Sequence, residues 1–168
     1  MSKKRKVFLG GWGTCNESTW RDRLIPMLKL DYFNPVVDDW NEEAYQRELT
    51  ERRDCDYCLY TITPRMTGVY SIAEVVDDSN KRPEKTILCV LPYGESTDEG
   101  DLKFFTIAQM KSLGKVGEMV EKNGGKVFGT LEQVASYLNS QIWYNISGWL
   151  FYICMLSMYW VSVFIRTK

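Results

Sequence analysis

The segment Thr86–Leu91, TILCVL, limits the fold more than any other part of the chain. It is apolar on both faces, and a strand buried on both sides belongs in the middle of a parallel sheet. Parallel neighbours need long crossover connections, usually helical, and the flanking sequence supplies them. Lys6–Leu9 reads as a first strand, followed by the turn-rich Gly10-Gly11-Trp12-Gly13. Ser18 or Thr19 can cap a helix over Trp20–Leu30, with Leu24, Met27 and Leu28 on one face and Pro26 placed to kink it. Tyr32–Val37 is the second strand, and Asp38-Asp39-Trp40-Asn41 leads into a polar helix from Glu42 to about Arg53. Tyr57–Ile62 is the third strand and Val69–Ser79 the third helix. A polar loop, Tyr93–Asp101, precedes a helix from about Phe105 to Lys122 that ends at Asn123-Gly124-Gly125. Lys126–Phe128 is the fifth strand, and Thr130 with Gln133 forms a capping box for a helix over Leu131–Leu138. Strands alternating with helices in this way predict an α/β fold. It is a three-layer α/β/α sandwich around a five-stranded parallel sheet, of the flavodoxin-like or Rossmann-like kind.

The 168 residues divide into one domain over 1–139 and a separate hydrophobic segment over 140–168. A formal net charge of −1 provides no basic field for nucleic acid. The basic cluster Lys3-Lys4-Arg5-Lys6 reads as a solvated leader, with a localisation signal or an anionic membrane contact as the alternatives. Five scattered cysteines, an odd number, argue against a disulfide framework and fit a reducing compartment. Cys55 and Cys58 form a CxxC with no second pair and no histidine beside them, so they read as buried structural thiols. No metal and no cofactor is expected.

From Gln141 to Ile165 there is no charged residue. Ile146–Ile165 is twenty residues long, enough as a helix to cross a hydrocarbon core of roughly 30 Å. Trp143, Tyr144 and Trp149 cluster at one end, and Arg166 and Lys168 close the other. The composition predicts a transmembrane C-terminal helix that anchors a cytoplasmic body. A buried terminal helix or an oligomer contact is the alternative, and without the anchor the whole protein would be cytoplasmic.

In an open parallel sheet, ligands sit outside the carboxyl ends of the strands. The third strand breaks at Pro64, the loop Arg65-Met66-Thr67-Gly68 follows, and the next helix carries Glu74 in its first turn or two. The chain contains no histidine. Any acid, base or nucleophile must therefore come from Asp, Glu, Cys, Tyr or Lys, and Glu74 is the carboxylate best placed. The Gly10-Gly11-Trp12-Gly13 loop lacks the GxGxxG dinucleotide fingerprint. It serves either as a structural turn or as a place where a ligand approaches the backbone. Asp38 and Asp39 either cap the helix that follows them or accept hydrogen bonds from a ligand.

Three runs, YFNPVVDDWNEE (32–43), CDYCLYTITPRMTGVYSIAEVVDDSNKRP (55–83) and TILC (86–89), together resemble the nucleoside 2-deoxyribosyltransferase-like family. The resemblance covers about Lys6 to Leu138 and is most specific around Asn34–Trp40 and Thr63–Asn80. It implies that Glu74 is the nucleophile, with Asp56 as the aspartate on the preceding strand and Glu48 as the acidic residue eight positions earlier. Phe8 stands where typical members carry a tyrosine in the first strand. Gly68 stands where they carry a ribose-binding aspartate, six residues before the nucleophile, and the apolar tail is not part of the family pattern. Substrate contacts are expected from Phe8, Gly10, Gly11 and Trp12 at the first strand and from Asn34, Asp38 and Trp40 after the second. Asp56, Met66 and Gly68 complete the set, and Trp40 is placed to stack on the base.

The resemblance implies transfer of 2-deoxyribose between bases. A carboxylate attacks C1′ through an oxocarbenium-like transition state, and the glycosyl ester then passes its sugar to another base. A second carboxylic acid must protonate the departing base, and Asp39, Asp38 and Glu48 are the candidates. Two alternatives use the same pocket: an N-glycoside hydrolase of nucleosides, nucleotides or a dinucleotide such as NAD, and a non-catalytic, membrane-tethered nucleotide-binding module. The expected partners are a nucleoside or nucleotide, a membrane through the tail, and further copies of the chain, with no nucleic acid.

Overall fold

A computed structural model describes residues 4–11, 18–39, 41–95 and 101–142. In chain order the elements are β1 (Lys6–Gly10), α1 (Trp20–Leu24), β2 (Asp31–Phe33), α2 (Glu42–Asp54), β3 (Tyr57–Ile62), α3 (Tyr70–Lys81), β4 (Thr86–Val90), β5 (Tyr93–Glu95), β6 (Leu102–Phe104), α4 (Ile107–Asn123) and β7 (Lys126–Phe128). A last helix, α5, is described over 131–142. Five strands form one parallel sheet in the order β2-β1-β3-β4-β7. The TILCV run is indeed central: β4 pairs with β3 on one side, Ile87 opposite Leu59, and with β7 on the other.

Strand alternation divides the core into two layers. Val7, Leu9, Tyr57, Leu59, Ile87 and Cys89 pack with Trp20 and Leu24 of α1 and with Leu131, Val134 and Leu138 of α5. Phe8, Cys58, Tyr60, Ile62 and Leu88 pack on the opposite face with Val75 of α3 and Leu113 and Val120 of α4. Each large apolar side chain buried in these layers contributes roughly 1.5–3 kcal/mol. Helix α2 is polar, and Arg52 is its buried residue.

Several boundaries differ from the sequence expectation. The first strand runs one residue further, to Gly10. The second stops at Phe33 rather than Val37: Pro35 has no N–H to donate, and Asn34 Oδ1 accepts the Val36 N–H at 3.3 Å, closing a turn. The helix expected over Trp20–Leu30 ends at Leu24 and continues as a 3₁₀ turn, Ile25–Met27, around Pro26. Thr19 occupies its N-cap position without a side-chain bond. Asn41, not Asp38 or Asp39, caps α2, its side chain accepting the Ala44 N–H at 3.0 Å. The polar stretch 93–101 is not all loop. Its start, β5, pairs antiparallel with β6, Tyr93 opposite Phe104, because two three-residue strands leave almost no periodic signal to read.

The caps of α4 and α5 follow local chemistry. Thr106 and Gln109 form a reciprocal capping box on α4, and Gly124 closes that helix in the left-handed region at φ 103°. On α5 the Thr130 hydroxyl accepts the Gln133 N–H at 3.2 Å, while Gln133 Oε1 reaches back to the Gly129 N–H at 3.0 Å. The Thr130–Gln133 box is thus shifted by one residue on its return bond. Among the described residues no helix is long and apolar enough to cross a membrane. The segment Ile146–Ile165 lies outside the described residues.

Candidate functional site

The strand order reverses direction between β1 and β3: the chain leaves β1 for β2 on one side and returns to place β3 on the other. Ligands of open α/β sheets bind in the crevice at that point, beyond the carboxyl ends of the two strands. At the end of β1, Gly11 has φ +120° and its missing Cβ would lie 2.5 Å from the Thr61 carbonyl oxygen. Only glycine fits there, for reasons of conformation and of space. Gly10 is similarly enclosed, a Cβ falling 2.9 Å from Phe8 Cε1 and 3.0 Å from the Leu59 carbonyl oxygen. The contact of β1 with β3 therefore accounts for both glycines as a structural turn.

Beyond β3 the chain turns at once, Met66 N–H donating to the Thr63 carbonyl at 3.1 Å. Arg65 is buried and ties this loop to the hairpin, its Nε donating to Gly94 O at 3.0 Å and Nη2 to Asp101 O at 2.6 Å. Helix α3 then starts at Tyr70 and carries Glu74 in its second turn. Glu74 and Asp78 lie four residues apart on one side of the helix, and Arg82, the residue that caps its end, folds back onto Asp78.

Arg52, in the last turn of α2, reaches both carboxyls. Its Nη1 donates to Glu74 Oε1 at 3.0 Å, its Nη2 to Asp78 Oδ1 at 2.7 Å, and its Nε to Tyr60 Oη at 2.7 Å and to Asp78 Oδ2 at 3.1 Å. Tyr60 donates its own hydroxyl hydrogen to Asp78 Oδ2, and Arg82 Nη2 bonds both Asp78 oxygens at 2.8 and 2.9 Å. Burial by itself would raise Asp78. The hydrogen bonds from Arg52, Tyr60 and Arg82 outweigh it and hold that carboxyl below the ordinary range. Burial opposes the Arg52 charge, yet its bond to Asp78 and the nearby Tyr60, Glu74 and Asp78 raise its pKa.

Glu74 behaves in the opposite way to Asp78. Its side chain is 11% exposed, and burial pushes its carboxyl from 4.5 up to about 7. Arg52 pulls downward but shares its charge with Asp78, and the negative charges of Glu48 and Asp78 push further up. The result is a carboxyl poised between its two protonation states near neutral pH, a property concentrated at reactive sites.

The other expected site residues fall into three groups. Glu48 sits on α2 one turn before Arg52, and its charge acts on both Glu74 and the buried Arg21. Arg21, lowered to about 10 by burial, donates to the Leu9 carbonyl at 3.1 Å beside the end of β1. Asn34 is half-buried at the carboxyl end of β2, Asp38 and Asp39 are exposed just after it, and Met66 and Gly68 are half-buried in the loop before α3. These share the carboxyl edge with Glu74. Phe8 is fully buried in the sheet, stacked on Phe33 with ring centroids 5.9 Å apart.

Asp56 does not belong there. It precedes β3, at the amino edge of the sheet, and its Oδ2 accepts the Lys6 N–H at 2.9 Å. A residue before a parallel strand is a full strand length away from the carboxyl edge. Trp12 and Trp40 lie outside the described residues. Arg52, Tyr60, Asp78 and Arg82 were absent from the sequence expectation. The spacing of Glu74, Asp78 and Arg82 was the available signal, together with that of Glu48 and Arg52. Cys55, Cys58 and Cys89 are buried free thiols pushed up to about 12 by burial, as the structural reading of the CxxC requires.

The strand order makes this an α/β protein whose sheet reverses between β1 and β3, with the largely buried, near-neutral Glu74 on the helix that follows β3. Residues 4–93 match the family described as nucleoside 2-deoxyribosyltransferase like, and the chain belongs to that family. The match includes β1 to β4 and every site residue discussed above, and ends before β7 and α5 complete the sheet. No curated protein and no solved structure matches the chain. Membership supports a nucleoside-related function and implies binding of a nucleoside.

Proposed function

We propose that the protein transfers 2-deoxyribose from one nucleobase to another through an ester on Glu74. The observation that carries this reading is the largely buried Glu74 carboxyl on the helix that follows β3, raised to about 7 and held by Arg52 through one oxygen. In the first half-reaction Glu74 forms a bond to C1′ while the C1′–N bond breaks, and the electron pair leaves with the base. The missing 2′-hydroxyl favours this step, because no electron-withdrawing oxygen opposes the positive charge growing on the sugar. Glu48 supplies the proton to the departing base, and it is preferred to the exposed Asp38 and Asp39 because its charge already bears on Glu74. In the second half-reaction a nitrogen of the incoming base attacks C1′ and the carboxylate leaves. Gly68 offers no carboxylate to the sugar, so sugar binding falls to other groups at this edge.

Incubating the full chain with deoxyinosine and adenine tests the reading. Deoxyadenosine and hypoxanthine should appear together, and both should vanish in Glu74→Gln. Hypoxanthine with free deoxyribose and no deoxyadenosine would make water the acceptor and the protein a hydrolase. Nucleoside binding without any turnover would make it a binding module. A membrane location is a separate proposal resting on the composition of 146–165. Extraction of the full chain from membranes with alkaline carbonate tests it, and release into the soluble fraction would refute it.

A further inference from the structure

We propose that Arg52 is the positioning residue of this site: it holds Glu74 by Oε1, directs Oε2 at the sugar, and assists the carboxylate when the glycosyl ester breaks down. The inference rests on the deoxyribosyl-transfer reading. One guanidinium grips Glu74 at two points, Nη1 on Oε1 at 3.0 Å and Nη2 on the backbone carbonyl at 3.3 Å. Among the described residues, Oε2 receives no hydrogen bond. The grip is itself rigid. Nε and Nη2 are fixed by Tyr60 Oη at 2.7 Å and Asp78 Oδ1 at 2.7 Å, and Asp78 is held by Arg82 from its other side. A planar fork is needed to serve three acceptors at once, which a lysine ammonium on a flexible stem cannot do with the same geometry.

The charge on Glu74 changes twice in the proposed cycle, and Arg52 acts differently on each change. Attack converts a paired carboxylate into a neutral ester, which a cation does not favour. Breakdown does the reverse: the C1′–Oε2 bond breaks, its electron pair returns to Glu74, and the acceptor nitrogen forms the new C1′–N bond. That nitrogen loses its proton to the ionised Glu48, while Arg52 exchanges none. A cation that pairs with the carboxylate and not with the ester therefore speeds breakdown. It also maintains the ionised nucleophile in the free protein. The charged groups acting on Glu74 are Arg52 and Glu48 from α2, Asp78 from α3 and Arg82 at its C-cap, with Tyr60 of β3 reaching it through Arg52. Loosening Arg52 leaves the negative members less opposed.

The test compares the full-length wild type and Arg52→Lys, mixed with deoxyinosine and quenched at intervals. Intact-mass spectrometry follows the deoxyribosyl adduct, and kcat/KM is measured against pH. Losing a hydrogen bond to a charged group should prolong the adduct about tenfold, and the acidic limb of kcat/KM should move to higher pH. A wild-type adduct lifetime and an unmoved limb in Arg52→Lys, with Glu74→Gln inactive, would overturn the positioning role and leave the transfer reading standing. No adduct and no base exchange in the wild type would overturn both. Should Arg52→Lys fail to fold, Tyr60→Phe removes one acceptor of the fork without uncovering a charge. It should prolong the adduct about threefold, within the usual worth of a single hydrogen bond, and an unchanged lifetime there refutes the role equally.

Discussion

At the amino edge of the sheet, Lys6 and Asp56 exchange bonds in both directions, the Lys6 ammonium meets Glu51 at 2.5 Å, and Lys85 bonds the Cys55 carbonyl at 3.0 Å. At the carboxyl edge, Glu74 shares one guanidinium with a better-placed rival, Asp78, and lies deeper than either Lys6 or Glu51. Both edges carry charge, but only one leaves a carboxyl short of compensation. Fully paired, half-exposed charges staple strand ends and gain little reactivity. A buried carboxyl with a divided partner costs stability when charged, and that cost is what raises its proton affinity toward neutral pH.

The largest expected effect tests that contrast directly. Glu74→Gln should lower kcat by about 10⁴-fold or more, as loss of a nucleophile does, with an unfolding midpoint at or above the wild type at neutral pH. The sign follows from the direction of the shift. A carboxyl raised in the folded state from 4.5 to about 7 contributes its full share of stability below about pH 4.5 and loses it as pH rises through about 7. On the proposed mechanism the ionised fraction of Glu74, and kcat/KM with it, should grow over the same interval. Activity and this share of stability should therefore run in opposite directions in the wild type, and Glu74→Gln should show neither trend. A pH-rate profile beside thermal melts across that interval checks both.

Asp78→Asn comes next. Breaking a buried ionic cluster on one side costs about 3–5 kcal/mol, read by urea unfolding. Because Asp78 is held below the ordinary carboxylate range, its contribution is present above its unfolded pKa and is lost as pH falls. Gly11→Ala should cost about 1–3 kcal/mol from the forced conformation alone, with a clash at Thr61 added. If nucleoside affinity fell in that variant with no change in stability, the turn would be a ligand contact after all. The smallest effect belongs to the other edge: Asp56→Asn should cost about 0.5–1.5 kcal/mol and leave turnover intact. Lost turnover with unchanged stability would place Asp56 in the site and erase the distinction between the edges.

Features that depend on short spans of chain were legible in the sequence. The doubly buried TILCV run, the strand–helix alternation and the glycine stop at Gly124 each follow from residues within one or two turns of each other. Glu74 was legible because strand direction and the break at Pro64 place the next helix start at the carboxyl edge. The same logic excludes Asp56, which precedes its strand; there the family resemblance pointed to a residue that strand polarity puts at the wrong end. The hairpin was hidden because its paired strands, Tyr93–Glu95 and Leu102–Phe104, are too short for periodicity to show.

The sequence by itself determined the layers, the strand polarity and which carboxylate stands beyond β3, because hydrophobic period and turn chemistry act locally. Only the tertiary structure decided what that carboxylate is. Arg52 lies 22 residues from Glu74 and belongs to a helix whose polar surface marks no preferred face, so nothing along the chain says that it turns inward. Its direction is set by how α2 docks beside α3, and the proton affinity of Glu74 by how Arg52 is then divided with Asp78 and Tyr60. Electrostatic character depends on distance and burial in three dimensions, which a one-dimensional pattern does not carry.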